Sequence, residues 1–134
     1  DRLAELVRKR LDPSGFDLVT AVPISEKRKK LRGFNQSELL ARPLARKLGL
    51  PYGECLLKIR DNPEQHRLSR EERLQNVRGM YRALRPQTQG KRILLVDDIV
   101  TTGSTLLECA GTLYSGGAEA VACTAVAQVG KEHG

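Results

Sequence analysis

A strand–turn–helix pattern in residues 93–105 constrains the fold of this chain more than any other feature. Residues 93–96 are uniformly apolar, which is typical of a strand covered on both faces in a parallel sheet. Two carboxylates, Asp97 and Asp98, stand at the C-terminal end of this strand. A turn rich in hydroxyl groups around Gly103 then leads into a helical pattern that ends at Gly116. This order of elements predicts an α/β domain.

Strands and helices alternate along the rest of the chain. The strands are predicted at 17–22, 55–59, 80–84, 93–96 and 120–127, and the helices at 2–11, 35–49, 69–77 and 104–115. Pro43 predicts a kink or an interruption in the second helix. With 134 residues, the chain has the size of one domain, and we expect a single unit over 1–134. Alternation of this kind favours a parallel sheet with helices on both faces.

The acidic pair and the turn after it suit a sugar phosphate. Ligands of parallel sheets bind at the carboxyl ends of the strands, where this pair is expected to lie. Adjacent aspartates can accept hydrogen bonds from two neighbouring ribose hydroxyls. Backbone N–H groups of the turn and of the helix N-terminus can hold a phosphate. Gly103 lets the backbone approach the phosphate oxygens closely, because it has no Cβ.

Other uses of such residues explain the pattern less well. An acidic pair after an apolar strand also occurs in phosphate-accepting receiver domains, but there it follows the first strand, and no aspartate follows Asp98 here. The glycine turn lacks the Lys-Ser or Lys-Thr of a nucleotide P-loop. A plain helix N-cap accounts for the hydroxyl groups but not for two like charges before them.

Residues 93–105 resemble the 5-phosphoribosyl 1-pyrophosphate (PRPP) signature of type I phosphoribosyltransferases. The resemblance implies a Rossmann-like fold of that class. It also implies that Asp97 and Asp98 bind the ribose hydroxyls. It further implies that the turn binds the 5-phosphate through Thr101, Thr102, Gly103, Ser104 and Thr105.

A cluster of basic residues follows the first predicted strand. Five of the six residues in 27–32 are Lys or Arg, and residues 1–90 carry a balance of +9 against −2 for residues 91–134. Such a cluster favours a polyanion, either pyrophosphate or nucleic acid, over a merely solvated loop. Arg binds phosphate bidentately, so Arg28 and Arg32 are the predicted pyrophosphate ligands. The PRPP resemblance adds the start of the same segment: Pro23, Ile24 and Ser25.

A narrower resemblance is carried by residues 32–41, Arg-Gly-Phe-Asn-Gln-Ser-Glu-Leu-Leu-Ala, and by the Asn-Val-Arg-Gly of residues 76–79. Both are similar to the ComF/GntX family of phosphoribosyltransferase-like proteins, which is associated with competence and DNA uptake. The broader resemblance to type I phosphoribosyltransferases implies a mobile loop over PRPP that includes Gln65 and Arg67. Family members usually carry an N-terminal cysteine zinc module, for which this chain has no Cys-x-x-Cys pattern.

Two functions follow from these resemblances. The first is Mg²⁺-dependent transfer of ribosyl 5-phosphate from PRPP to an acceptor, with Mg²⁺ carried on PRPP. The alternative is a non-catalytic competence protein that senses PRPP or handles single-stranded DNA. Non-specific DNA contact suits the basic half, although five aromatic residues offer few stacking platforms. A homodimer is compatible with either function.

Composition predicts where the domain works. No apolar run is long enough to span a membrane. The three cysteines, Cys55, Cys109 and Cys123, stand far apart in apolar surroundings, which predicts buried thiols rather than disulfides or a zinc site. Unpaired thiols are typical of a reducing cytoplasm.

Overall fold

The fold is given by a computed structural model, which describes residues 13–59, 79–100 and 103–128. A 3-10 turn at Pro13–Gly15 precedes the first strand. The strands are β1 Leu18–Ala21, β2 Leu56–Lys58, β3 Tyr81–Ala83, β4 Arg92–Val100 and β5 Ala120–Gln128, and the helices are α1 Glu26–Arg32, α2 Gln36–Leu48, α3 Arg85–Thr88 and α4 Ser104–Ser115. The helices predicted at 2–11 and 69–77 lie outside the described residues, as do Gln65, Arg67, Thr101 and Thr102.

A parallel sheet with the strand order β1-β4-β5 forms the centre of the domain. Its two faces carry separate apolar clusters. Leu94 and Val96 of β4 pack with Leu44 of α2 on one face, whereas Ile93 and Leu95 pack with Leu113 of α4 on the other. The uniform apolarity of residues 93–96 is thus explained by burial on both sides. The predicted α/β fold with helices on both faces is confirmed.

Outside the central sheet, β2 and β3 form an antiparallel pair. These two short strands confirm the strands predicted at 55–59 and 80–84. The segment between them, 60–78, lies outside the described residues. On the far side of β1, Pro51 and Gly53 bond to the backbone of Val19, so that edge of the sheet is covered. The segment that leads into β2 therefore lies along β1, and the two-stranded sheet is separate from the central one.

Two helix predictions need correction. Residues 26–32 form α1, a helix that is missing from the helices predicted from the sequence. The Ser25 hydroxyl accepts from Arg28 N at the start of α1, and Gly33 ends it with a left-handed conformation (φ 82°). The predicted interruption at Pro43 does not occur, since α2 runs through it. Packing of α2 on the sheet outweighs the hydrogen bond that proline cannot donate.

Two strand predictions also need correction. β4 continues past residue 96 to Val100, so the aspartates lie inside a strand rather than after it. The apolar residues of the strand predicted at 120–127 favour a buried strand, but β5 is the outer strand of the described sheet, and its residues 121–125 are partly or largely exposed. Cys123 lies on β5 and is exposed for the same reason, whereas Cys55 and Cys109 are buried as predicted. Within the described ranges, no helix is long and apolar enough to cross a membrane.

Candidate functional site

The candidate site forms where β1 ends and β4 continues. The last β1 pairing joins Ala21 to Val96, and Val22 N still donates to Val96 O at 2.9 Å. The chain then turns away at Pro23, because proline has no N–H for the ladder. β4 keeps pairing with β5 beyond this point, as far as Val100. Asp97 and Asp98 therefore lie at the carboxyl edge of the sheet, just past the end of β1.

Asn35 fixes the first turn of α2 against this edge. Its side-chain Oδ1 accepts from Ser37 N at 3.0 Å, which caps the helix. Its Nδ2 donates to Val22 O at 3.1 Å. Since the side chain is only 8% exposed, both bonds are shielded from water. The same residue thus starts α2 and ties it to the end of β1.

Ser37 joins α2 to the acidic pair. Its hydroxyl donates to Asp97 Oδ1 at 3.0 Å and lies 3.5 Å from Asp98 Oδ1. The backbone N–H of Asp98 donates to the same Asp97 oxygen at 2.9 Å. Ser37 is 4% exposed and Asp97 8% exposed, whereas Asp98 is partly exposed. The two carboxyls therefore differ, with Asp97 enclosed and Asp98 more accessible to a ligand.

The environment of Asp97 opposes its ionisation. Burial raises the pKa of Asp97 to about 6, the neighbouring Asp98 carboxyl contributes to the rise, and the Ser37 hydrogen bond acts against it. The group nevertheless remains an acceptor above that pH. A ligand that donates hydroxyl protons to both carboxyls would stabilise the ionised form.

The N-terminus of α4 is the second part of the site. Gly103 caps the helix with φ 82°, and its carbonyl accepts from Leu107 N. The first N–H groups of any helix have no partner within that helix and carry a partial positive charge. Ser104 is buried in the first turn and Thr105 is partly exposed. The predicted phosphate turn is thus described from Gly103 onwards, and its role in binding a phosphate remains a prediction.

The basic segment is a surface helix. Arg28 and Arg32 are exposed on α1, which buries none of its side chains. Lys29 Nζ lies 3.6 Å from Glu38 Oε1, and Arg42 Nε donates to Glu38 Oε2 at 2.8 Å, which links α1 to α2. A cavity of about 80 Å³ lies beside this link, lined in part by Pro23, Ile24, Asn35 and Leu57. The phosphate-binding roles of this segment remain predictions.

Sequence reasoning missed the contact between Ser37 and the aspartates. It interpreted residues 35–38 only as a helix start and as part of a family motif. The helix cap itself was a usable signal, since it predicts where α2 begins. What the pattern lacked was the tertiary arrangement that brings residue 37 within hydrogen-bond distance of residue 97.

Comparison with known proteins identifies the family of this chain. Residues 35–133 match the family described as the phosphoribosyl transferase domain. The matched range begins at the cap of α2 and includes the acidic pair and α4. The chain therefore belongs to the phosphoribosyl transferase domain family, as a ComF-type member.

Two named relatives are similar to this chain over most of its length. The DNA utilization protein YhgH of Escherichia coli K12 is 42% identical over 106 residues, which are 78% of this chain and 46% of that protein. Competence protein ComFC of Bacillus subtilis is 33% identical over 94 residues, 70% of this chain and 37% of that protein. The chain thus spans less than half the length of these relatives.

A solved structure shows the same similarity. Glutamine PRPP amidotransferase from B. subtilis, complexed with ADP and GMP, superposes with a TM-score of 0.58 at 28% identity. The match covers 82% of this chain and 22% of that enzyme. The domain is therefore similar to one part of a larger enzyme whose name includes PRPP.

Proposed function

We propose that this domain binds PRPP as its Mg²⁺ complex and transfers the ribosyl 5-phosphate group to an acceptor, with release of pyrophosphate. The observation that carries the proposal is the acidic pair, held by Ser37 at the carboxyl edge of a parallel sheet. The N-terminus of α4 follows in the chain. Together they offer acceptors for two sugar hydroxyls and donors for one phosphate.

Each part of the site has a distinct task in this reaction. Asp97 and Asp98 accept hydrogen bonds from the two ribose hydroxyls, and the turn of residues 101–105 holds the 5-phosphate. The bond from C1 to the pyrophosphate oxygen breaks with its electron pair on pyrophosphate, and a bond from C1 to the acceptor forms. Cations of α1 stabilise the charge on the departing pyrophosphate. The domain contributes positioning and electrostatics rather than a covalent intermediate.

Mg²⁺ fits this site as a ligand-borne ion. Across 13–59, 79–100 and 103–128, no group of three or more His, Cys, Asp or Glu side chains could hold a metal. Mg²⁺ prefers six oxygen ligands and keeps several waters and phosphate oxygens. The oxygens of PRPP and water would therefore hold it. Its chemistry would be neutralisation of the pyrophosphate charge.

Calorimetric titration with Mg²⁺-PRPP, compared with ribose 5-phosphate, tests the proposal. Preferential binding of PRPP is the expected result, because only PRPP carries the pyrophosphate that α1 would contact. No binding of either ligand by the folded protein would overturn it. If PRPP binds but no nucleobase or amine in a panel is converted, the domain is a PRPP sensor rather than a transferase.

A second candidate function is non-catalytic handling of single-stranded DNA. The observation in its favour is α1, which exposes Lys27, Arg28, Lys30 and Arg32 along one short helix. Two relatives are named for DNA utilization and competence. Contact with phosphates of this kind gives an affinity that falls steeply with salt. Fluorescence anisotropy of a labelled oligonucleotide at several salt concentrations distinguishes this function from PRPP binding.

Replacing Arg28 and Arg32 together by alanine should weaken PRPP binding about tenfold or more, through loss of charge-assisted hydrogen bonds. Binding of ribose 5-phosphate should change by less than about threefold, because that ligand has no pyrophosphate. Arg46→Ala with Lys47→Ala is the matched control, since it removes two exposed cations from the opposite end of α2. Equal losses for both ligands would remove the pyrophosphate role, and loss of oligonucleotide binding alone would favour the DNA function.

Gly103→Ala should weaken both PRPP and ribose 5-phosphate about tenfold. A Cβ at residue 103 meets nothing within 4 Å in the protein, so the added methyl group affects a ligand in the turn rather than the packing. The strained backbone costs about 1 kcal/mol of stability. Gly49→Ala is the control, because Gly49 also has a positive φ (73°) and open space around it. If both variants bind both ligands equally well, the turn is not the phosphate site.

A further inference from the structure

The first turn of α2 touches the ends of two neighbouring strands. Asn35 Nδ2 bonds to Val22 O, directly after β1, and Ser37 Oγ bonds to Asp97 Oδ1 in β4. Both side chains are almost fully buried. The turn therefore connects the segment that begins at Pro23 with the acidic pair. Neither partner can shift far without breaking a shielded hydrogen bond.

The Ser37 hydroxyl has one proton, so the Asp97 and Asp98 carboxyls compete for its hydrogen bond. A hydroxyl donates one hydrogen bond at a time, and Asp97 Oδ1 at 3.0 Å is much better placed than Asp98 Oδ1 at 3.5 Å. Asp97 Oδ1 also accepts from Asp98 N. Two donors on one oxygen fix the orientation of this carboxyl group.

Apart from Ser37 and the Asp98 backbone N–H, the groups that interact with Asp97 do not favour its charge. Asp98 lies next to it on β4, and Tyr81 of β3 and Cys109 of α4 interact with its charge. Burial raises the pKa of Cys109 and of Tyr81, and the charge of Asp97 adds to the rise in both. Ser37 is thus the side chain whose hydrogen bond favours the ionised form of Asp97.

We propose that Ser37 is a positioning residue of the sugar-phosphate site, whose hydroxyl orients Asp97 and keeps it an ionised acceptor for a ribose hydroxyl. The inference rests on the proposed function for its ligand, but the contact itself belongs to the free protein. Loss of the hydroxyl would leave Asp97 beside Asp98 with one donor fewer. Protonated Asp97 would then persist to higher pH, and it would accept from the sugar only through a neutral carbonyl oxygen, which is a weaker acceptor than the ionised carboxylate.

The test compares Ser37→Ala with the wild-type protein over a range of pH. PRPP affinity of Ser37→Ala should fall about fivefold relative to wild type at about pH 6, and less than about twofold at about pH 8.5. Taking the ratio at each pH cancels the titration of PRPP itself. Ser37→Thr keeps the hydroxyl and should restore the wild-type profile. Ser37→Cys keeps the size with a weaker donor and should lie between.

A merely structural role predicts a different result. It would lower the affinity of Ser37→Ala by the same factor at every pH, and that outcome overturns the proposal. In an Asp97→Asn background, Ser37→Ala should add no pH-dependent loss, since the titrating group is gone. A pH-dependent loss of PRPP affinity that persists in this background would also contradict the proposal.

A second measurement separates this inference from the proposed function. The carboxyl carbon of Asp97 can be followed by NMR in the free protein while the pH is changed. The pH at the midpoint of its titration should be higher in Ser37→Ala than in the wild-type protein, even if the domain binds no PRPP at all. An unchanged midpoint would overturn the role of Ser37 whatever the ligand is.

Discussion

Replacing Asp97 and Asp98 together by asparagine is expected to weaken PRPP binding by at least about 100-fold. The reason is that two charge-assisted hydrogen bonds to the ribose hydroxyls become weaker neutral ones. An asparagine also presents an NH₂ group where the sugar needs an acceptor. Calorimetric titration with Mg²⁺-PRPP and with ribose 5-phosphate measures the effect, and both ligands should lose affinity, because both carry the same hydroxyl pair.

The double variant should remain folded. Asparagine has nearly the shape of aspartate, and its carbonyl oxygen can still accept from Ser37 Oγ, which donates to Asp97 in the wild-type protein. Glu119→Gln is a control for the change of charge, because this exposed acid precedes β5 at the opposite end of the sheet. Unchanged PRPP affinity in a folded Asp97→Asn, Asp98→Asn protein would rule out the ribose assignment.

The stability of the double variant has a distinct pH dependence. The pKa of Asp97 in the folded protein is raised to about 6, so the folded state holds its proton more tightly than the unfolded chain does. The contribution of Asp97 to the free energy of unfolding therefore decreases as the pH rises from about 4 to about 6. The variant removes this penalty at neutral pH. Denaturant unfolding at two pH values measures the difference.

The central strand and the acidic pair could be predicted because their signals are local. An unbroken apolar run followed by two carboxylates indicates burial on both faces and then a change of environment. The end of β4 could not be predicted in the same way. Aspartate is rare in strands, yet Asp97 pairs with Ala125 because β5 is as long as β4. Tertiary pairing outweighed the local preference.

The α1 helix was missed because it has no apolar stripe. Its sequence Glu-Lys-Arg-Lys-Lys-Leu-Arg has good helix formers but buries none of them. Helix periodicity is detected through burial, so a fully exposed helix gives no such signal. The signals that remain are the two ends, Ser25 as N-cap and Gly33 in the left-handed conformation. A search for helix caps that does not depend on apolar periodicity would have found α1.

The site itself depends on distances that no local pattern contains. The family motif over residues 32–41 marked its segment as important, but the physical role of Ser37 appears only when α2 packs on the sheet. Likewise, the outer position of β5 depends on the strand order, which its small apolar residues do not encode. Local chemistry predicted which residues bear function, and packing decided how they act together.

The packing of α2 leads to a prediction about stability, since Leu44 connects this helix to the sheet. Leu44 is fully buried among Val19, Ala41 and Leu94, so Leu44→Ala should lower the free energy of unfolding by about 2–5 kcal/mol. Leu39→Ala is the matched control, because Leu39 lies on the same helix and is 54% exposed. Denaturant unfolding of both variants measures the contrast, and equal losses would mean that α2 is not packed as described. Since α2 also carries Ser37, a saturating ligand of the acidic pair should recover part of the stability lost in Leu44→Ala.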